Sequence, residues 1–510
     1  MIQNGYSHCL LAIFFAALLA SCDSSDRKNA VDPEDQGPLP ALEEVVEVEN
    51  GSLRGVVASD PDEDPATADG VVHFQGIPYA APPVGVNRWR APMAVADWEG
   101  VREAAMPGPA CLQGDTRSTI AQSEDCLFLN IAAPQAETDQ RRPVMVWFHG
   151  GGGDNGSGHE AIYDIVSLAQ QTDTLVVSVN SRLGFLGFLA HPALRAESAN
   201  ASTGNYHHLD QVAALQWLQE NIEAFNGDPG NITLFGESAG GIDGCQHLAS
   251  RLSDGLFHRV IMQSSTCASY NMQALDEGFE QGAFFTDIWG CADASTTLDC
   301  LRQQDASALR AALHDAGKAD DLLQGDLLAQ EVFRPVSTVD GWVFTGALFD
   351  MMAESSSAIE VIIGITRNEF TLFTTAEGSI NPENNLQSYQ QVLRDGQDRL
   401  TEEAIQTLTT RLYPCGHYPS CSDALADVMG DAIFACASIT AADALVRSGH
   451  SVRFYEFNQP ANTSLLLSYT IPVKDENAPA IGIPHSADLF YLWDLAIMQS
   501  GESPEEAALA

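Results

Sequence analysis

Short runs of consecutive apolar residues alternate along this chain with longer stretches in which apolar residues recur every three or four positions. Val144-Met-Val-Trp-Phe148, Leu175-Val-Val-Ser-Val179, Ile232 to Phe235, Val260-Ile-Met262, Val361-Ile-Ile363 and Val452-Arg-Phe-Tyr455 read as strands. Several have no polar alternation, the pattern of strands covered on both faces. Leu209 to Phe225 reads as a helix, with Leu215, Leu218, Ile222 and Phe225 at helical spacing. Asn226-Gly-Asp-Pro-Gly230 ends it before the next strand. Strands and helices in alternation predict an α/β fold with a central, mostly parallel twisted sheet flanked by helices. Length alone suggests about three domains. No internal repeat and no second linker divides residues 43–510, however, so they read as one domain with large insertions.

The first 42 residues follow a different pattern. Cys9 to Ser21 is apolar but too short to span a bilayer as a mature helix, which marks an export signal. It closes with Leu19-Ala-Ser-Cys22, which resembles the lipobox of bacterial lipoproteins. That resemblance implies a signal peptide over 1–21, removed before Cys22, and a diacylglycerol on the Cys22 thiol. The chain would then be anchored to the membrane at the cell envelope. Met1 to His8 departs from the pattern in having no Lys or Arg. Plain secretion, with Cys22 a bystander, is the alternative. Asp-, Ser- and Pro-rich sequence up to about Leu42 reads as a disordered tether.

Composition narrows the function classes. The chain has 510 residues, 45% of them hydrophobic, enough for a large core. Its 69 acidic and 24 basic residues leave a formal charge of −45. Such a chain repels nucleic acid, and nucleic-acid binding is excluded. The acidic excess is spread along the chain and reads as a solvated surface suited to salty surroundings. Of eleven cysteines, removing Cys9 with the signal and Cys22 as the lipid site leaves nine. Export favours disulfides. Cys111 with Cys126 and Cys291 with Cys300 are spaced like small loops, and Cys415 and Cys421 bracket a tight turn. Cys245, Cys267 and Cys436 have no evident scheme. No Cys-x-x-Cys or paired-His spacing points to a metal.

The chemistry concentrates at Gly236-Glu-Ser-Ala-Gly240, directly after the strand Ile232 to Phe235. Gly-x-Ser-x-Gly between a strand and a helix is a nucleophile elbow, with Ser238 lifted above the sheet. A serine hydroxyl needs a base, and the base an orienting acid, in the chain order Ser, acid, His. Three histidines lie far enough downstream. His417 sits in the cysteine-bracketed turn, and His450 precedes its strand and so lies at the wrong end of the sheet. His485 lies past that strand's C-terminal edge and is the candidate base. Glu369 follows the strand Val361 to Ile365 and is the candidate acid; pairing with Arg367 is its competing explanation. Asp340 is the runner-up acid but precedes the strand. His149-Gly-Gly-Gly-Gly153 follows the strand ending at Phe148, where glycine amides can approach an oxyanion.

With those residues stand Phe74-Gln-Gly-Ile-Pro-Tyr-Ala-Ala-Pro-Pro83, Glu124-Asp-Cys-Leu-Phe-Leu-Asn130, Ser181-Arg-Leu-Gly-Phe-Leu-Gly187, Gly204-Asn-Tyr206, Leu209-Asp-Gln211, Arg367-Asn-Glu369 and Pro484-His485. Together they resemble the type-B carboxylesterases, the cholinesterase-like branch of the α/β-hydrolase fold. The resemblance implies Ser238 as nucleophile, Glu369 as acid, His485 as base, and Gly151, Gly152 and Ala239 as oxyanion-hole amides. It implies Cys111–Cys126 and Cys291–Cys300 disulfides, a small-molecule ester as substrate and no cofactor or metal, and leaves the oligomeric state open. A non-catalytic adhesion or binding protein on this fold, and a peptidase or lipase with the same triad, are the rival readings. Three features depart from the family. Residues 111–126 contain no Trp, Tyr or Phe, which argues against choline esters. Gly153 stands where relatives often carry an aromatic residue. Ala510 comes 25 positions after His485, where relatives continue into a Trp-containing helix, so an uncovered apolar patch is expected there.

Overall fold

The computed structural model describes residues 42–493 except 59–69, 115–119, 266, 269–270, 294–295, 316–334, 355–357, 376–384, 397–399 and 460–482. The expected signal, Cys22 and nearly all of the tether lie outside the described residues, as do residues 494–510.

Nine strands form the central sheet: β1 (Val56–Ala58), β2 (Val71–Pro78), β3 (Phe128–Pro134), β4 (Arg142–Phe148), β5 (Leu175–Val179), β6 (Gly227–Glu237), β7 (Arg259–Gln263), β8 (Glu360–Thr366) and β9 (Ser451–Phe457). Their spatial order is β9-β8-β7-β6-β4-β5-β3-β2-β1. From β9 to β5 every pairing is parallel, while β3, β2 and β1 are antiparallel. This is an α/β-hydrolase fold. Each apolar run of the sequence became a parallel strand; Leu175–Val179 keeps its length and the other five are longer by two to seven residues. Asn226 ends the preceding helix with a left-handed φ of 63°, as the turn reading required. The strand then starts at once at Gly227, through a register irregularity against β4 between Gly227 and Ile232.

Alternation along the parallel strands builds two cores. Val144, Val146, Leu175, Val177, Ile232 and Leu234 face one way. They pack against α3 (Tyr206–Asn221), α4 (Ala239–Ala249) and α6 (Cys436–Arg447), through Leu215, Leu248 and Leu445 among others. Trp147, Val176 and Phe235 face the other way, against α1 (Ile165–Thr172) and the 483–493 segment. Trp493 meets Trp147 edge-on at 5.0 Å, so the last described residues cover this face. Two further helices, α2 (Gly184–Phe188) and α5 (Ala306–Asp315), lie in the satellite cluster around Trp89 and Phe285. Cys111–Cys126, Cys291–Cys300 and Cys415–Cys421 are bonded, and Cys245 is bonded to Cys267. The last bridge joins α4 to the segment after β7.

Between α3 and α4 the core is polar. His208 is fully buried, and neither ring nitrogen meets a hydrogen-bond partner among the described residues. It faces the His247 ring at 4.5 Å and Phe344 at 4.9 Å. Burial lowers the His208 pKa well below the ordinary value, that of His247 to about 3 and that of His149 to about 4. The unfolded chain binds these protons near pH 6.5 and the folded chain does not, so protons favour the unfolded state below that pH. The urea midpoint is therefore expected to fall from pH 7 to pH 5. His208→Leu flattens that fall and changes the midpoint at pH 7 little, because the ring makes no hydrogen bond to lose.

Candidate active site

Ser238 stands where β6 passes into α4, with φ 55° and ψ −119°. A non-glycine residue with positive φ costs about 1–3 kcal/mol and is held by its surroundings. The Ser238 N–H donates to the Gln263 carbonyl at 2.9 Å. Gly240 explains why the motif needs glycine: a Cβ there would lie 1.9 Å from the Phe148 carbonyl oxygen. Close approach of the α4 start to the end of β4 brings the glycine loop beside the elbow. A Cβ on Gly150 would lie 3.3 Å from the Ser238 Cβ. Gly151, Gly152 and Gly153 have φ of 105°, 66° and 76°, a run that favours glycine. The Gly151 carbonyl accepts from the N–H groups of Asp154 and Asn155, and the Gly153 carbonyl from that of Gly184. Ala239 opens α4, so its amide is one of the four that have no intrahelical acceptor.

Parallel strands put β4, β6 and β8 at the same edge at their C-terminal ends, and Glu369 follows β8 there. Its Oε2 lies 2.7 Å from His485 Nδ1, and its Oε1 accepts the Thr366 N–H at 2.7 Å. The His485 N–H also donates to the Glu369 carbonyl. Both side chains are buried. Arg367 turns away to Glu456, so the competing explanation for Glu369 fails. Asp340 accepts from the Ser202 hydroxyl and the Trp342 and Val343 N–H groups, which makes it the clasp of a turn. His417 lies in the turn closed by Cys415–Cys421. His450 Nδ1 accepts the Ile359 N–H just before β8 and β9 begin, at the opposite end of the sheet.

The half-buried Ser238 hydroxyl makes no hydrogen bond with the His485 ring among the described residues. His485 Nε2 lies instead 3.1 Å from Oε1 of Glu237, the residue before the serine. Glu237 Oε1 also accepts the Ser486 hydroxyl at 2.6 Å. The rings of Phe373 and Phe434 lie 5.5 Å and 5.0 Å from that of His485. Phe434 comes from a wide helical turn, Gly430–Ala435, of the kind often found at functional sites.

The family model described as the carboxylesterase family matches residues 42–510. The chain belongs to the carboxylesterase family. Liver carboxylesterase of Sus scrofa is 30% identical over 92% of this chain and 82% of that protein. Para-nitrobenzyl esterase of Bacillus subtilis is 37% identical over 63% of this chain and 64% of its own. Fumonisin B1 esterase of Sphingopyxis macrogoltabida is 39% identical over 59% of this chain; that match spans about half of the relative, 54%. As a member of this family the chain is a carboxylic-ester hydrolase.

In this carboxylesterase the electrostatics around His485 involve residues that sequence reasoning passed over. Glu237, Ser486 and Asp488 all belong to the cluster. Glu237 left one signal, a carboxylate at the end of a buried strand inside the serine motif. Asp488 accepts from Gln263 at 3.0 Å and from the Tyr455 hydroxyl at 3.1 Å. Burial pulls the His485 pKa down, but Glu237, Glu369 and Asp488 outweigh it and raise it to about 9. Burial pushes Glu237 up to about 7, against the pull of His485. With His485 as the base that the resemblance implies, the ring must be neutral to accept a proton, so the rising limb of kcat/KM against pH should lie above the ordinary histidine value. Glu237→Gln removes the strongest of the raising charges and keeps an acceptor for Ser486. It is expected to move the limb toward acid by about one pH unit or more, read from kcat/KM between pH 5 and 10. An unmoved limb would show that Glu237 does not set the ring's charge.

Proposed function

We propose that this carboxylesterase is an exported serine esterase working by two-step acyl transfer. Ser238 Oγ attacks the ester carbonyl while His485 Nε2 takes its proton. The tetrahedral oxyanion is held by the amides of Gly151, Gly152 and Ala239. His485 then protonates the departing alcohol, and water attacks the acyl-Ser238 ester through the same groups. Glu369 holds the Nδ1 proton and stabilises the imidazolium.

The observation that carries this reading is the 2.7 Å bond from His485 Nδ1 to a buried Glu369, with the other ring nitrogen turned toward the elbow. In the neutral ring that bond keeps the proton on Nδ1 and leaves the Nε2 lone pair to act as base. In the free enzyme Nε2 faces Glu237, and the Ser238 contact forms as substrate enters, as catalytic hydrogen bonds in unliganded sites often tighten on binding. Short-chain aryl esters test the reading. The expected result is a burst of about one phenol per chain, followed by a steady rate, because the acyl-enzyme accumulates. Inertness toward a panel of such esters across salt concentrations would refute it.

The disulfides support maturation in an oxidising compartment. We extend the reading to a lipoprotein layout, with a signal over 1–21, lipidated Cys22 and tether over 22–42, and the catalytic domain over 43–510. Labelled fatty acid should be incorporated by the wild type and not by Cys22→Ser.

A further inference from the structure

The interior between α3 and α4 contains a pair that the mechanism does not use. His207 Nε2 lies 3.1 Å from both Asp243 oxygens, and Gln211 Nε2 donates to Asp243 Oδ2 at 2.6 Å. His207 Nδ1 lies 2.8 Å from the Arg182 carbonyl oxygen and 3.1 Å from the Ser181 hydroxyl. Nδ1 faces the carbonyl as a donor, while Nε2 meets both the Asp243 carboxylate and, at 3.0 Å, Gln211 Nε2. Both residues are buried, at 4% and 6% exposure. Removing one member therefore leaves a charge unpaired in the core.

The pair connects the two halves of the proposed oxyanion hole. Asp243 lies one turn after Ala239 on α4. His207 stacks on the Phe188 ring at 4.9 Å and an interplanar angle of 28°. That ring in turn lies on Gly153, where a Cβ would be 3.3 Å from it. Phe188 belongs to α2, whose first residue, Gly184, donates its N–H to the Gly153 carbonyl at 2.8 Å. The path from helix to loop is Asp243, His207, Phe188, Gly153. Asp154 adds a second anchor to the loop through Arg310 of α5, at 2.9 Å.

We propose that His207 and Asp243 are positioning residues which clamp the Gly151–Gly153 loop at a set distance from the Ala239 amide. The clamp rests on the serine-esterase reading, since it acts by aligning the oxyanion donors. It predicts a defect in transition-state stabilisation and not in substrate binding. His207→Gln and Asp243→Asn are each expected to lower kcat about tenfold to a hundredfold with KM within about twofold, the scale of a small misplacement of reacting groups. Affinity for an aryl trifluoromethyl ketone, whose adduct with serine carries an oxyanion, should fall by the same factor as kcat/KM. The double variant, with two neutral amides able to bond each other, should recover part of the loss.

Phe188→Leu keeps the buried charges and removes only the ring against Gly153. It is expected to reproduce the matched loss, and it decides the matter if the pair variants do not fold. Folded variants with wild-type kcat and ketone affinity would overturn the clamp, as would a fall in kcat with unchanged ketone affinity. In that case an active wild type leaves the esterase reading intact. A wild type that neither hydrolyses aryl esters nor binds the ketone overturns the esterase reading itself.

Discussion

Ser238→Ala is expected to lower kcat for aryl esters by about 10⁵- to 10⁶-fold, the scale of losing the nucleophile in a serine hydrolase. KM should change little, because the alanine keeps the backbone path of the elbow. Residual catalysis of about 10³- to 10⁴-fold over water should survive, from binding and the oxyanion amides. A second substitution separates chemistry from strain. Ser238 holds φ 55°, which glycine adopts at less cost than serine or alanine. Ser238→Gly should be as inactive as Ser238→Ala yet more stable than it by about 1 kcal/mol, measured by urea denaturation. Wild-type rates in either variant would remove Ser238 from the mechanism.

Glu369→Gln should cost about 10⁴-fold in kcat, with folding little changed. Thr366 donates its N–H to Oε1, so the glutamine oxygen is drawn to that side and its NH₂ faces His485. Nδ1 must then accept, which puts the ring proton on Nε2, and a protonated Nε2 cannot take the proton of Ser238. The defect is one of tautomer and not of packing. A kcat within tenfold of wild type, in a variant that melts as the wild type does, would show that the Glu369 carboxylate does not orient the base.

Much of the architecture was readable because parallel strands covered on both faces need unbroken apolar residues, and Val144 to Phe148 and Leu175 to Val177 supply them. The antiparallel strands β1, β2 and β3 were not called from the pattern. β2 mixes its apolar residues with Gly and Pro, as in Phe74-Gln-Gly-Ile-Pro78, β3 is interrupted by Asn130, and β1 is only three residues long. Position relative to the last strand separates His485 from His450, since a histidine just before a parallel strand lies at the wrong edge. What was not readable depends on how distant loops cross. Ser486 meets Glu237 across 249 positions, and no spacing rule reaches that far. Cys245 and Cys267 pair because α4 lies back over the end of β7, a packing relation invisible in their separation. His207 and Asp243 lie 36 positions apart with no motif linking them, and only the packing of α3 beside α4 joins them.

In the proposed mechanism a hydroxyl, an imidazole and a carboxylate from three separate strand ends act as one unit. Its most direct test is inactivation by a fluorophosphonate, followed by mass mapping of the adduct. One adduct per chain is expected, on the peptide carrying Ser238, formed quickly in the wild type and much more slowly in Glu369→Gln. An adduct on another residue, or labelling of Ser238 at the same rate in both proteins, would contradict it.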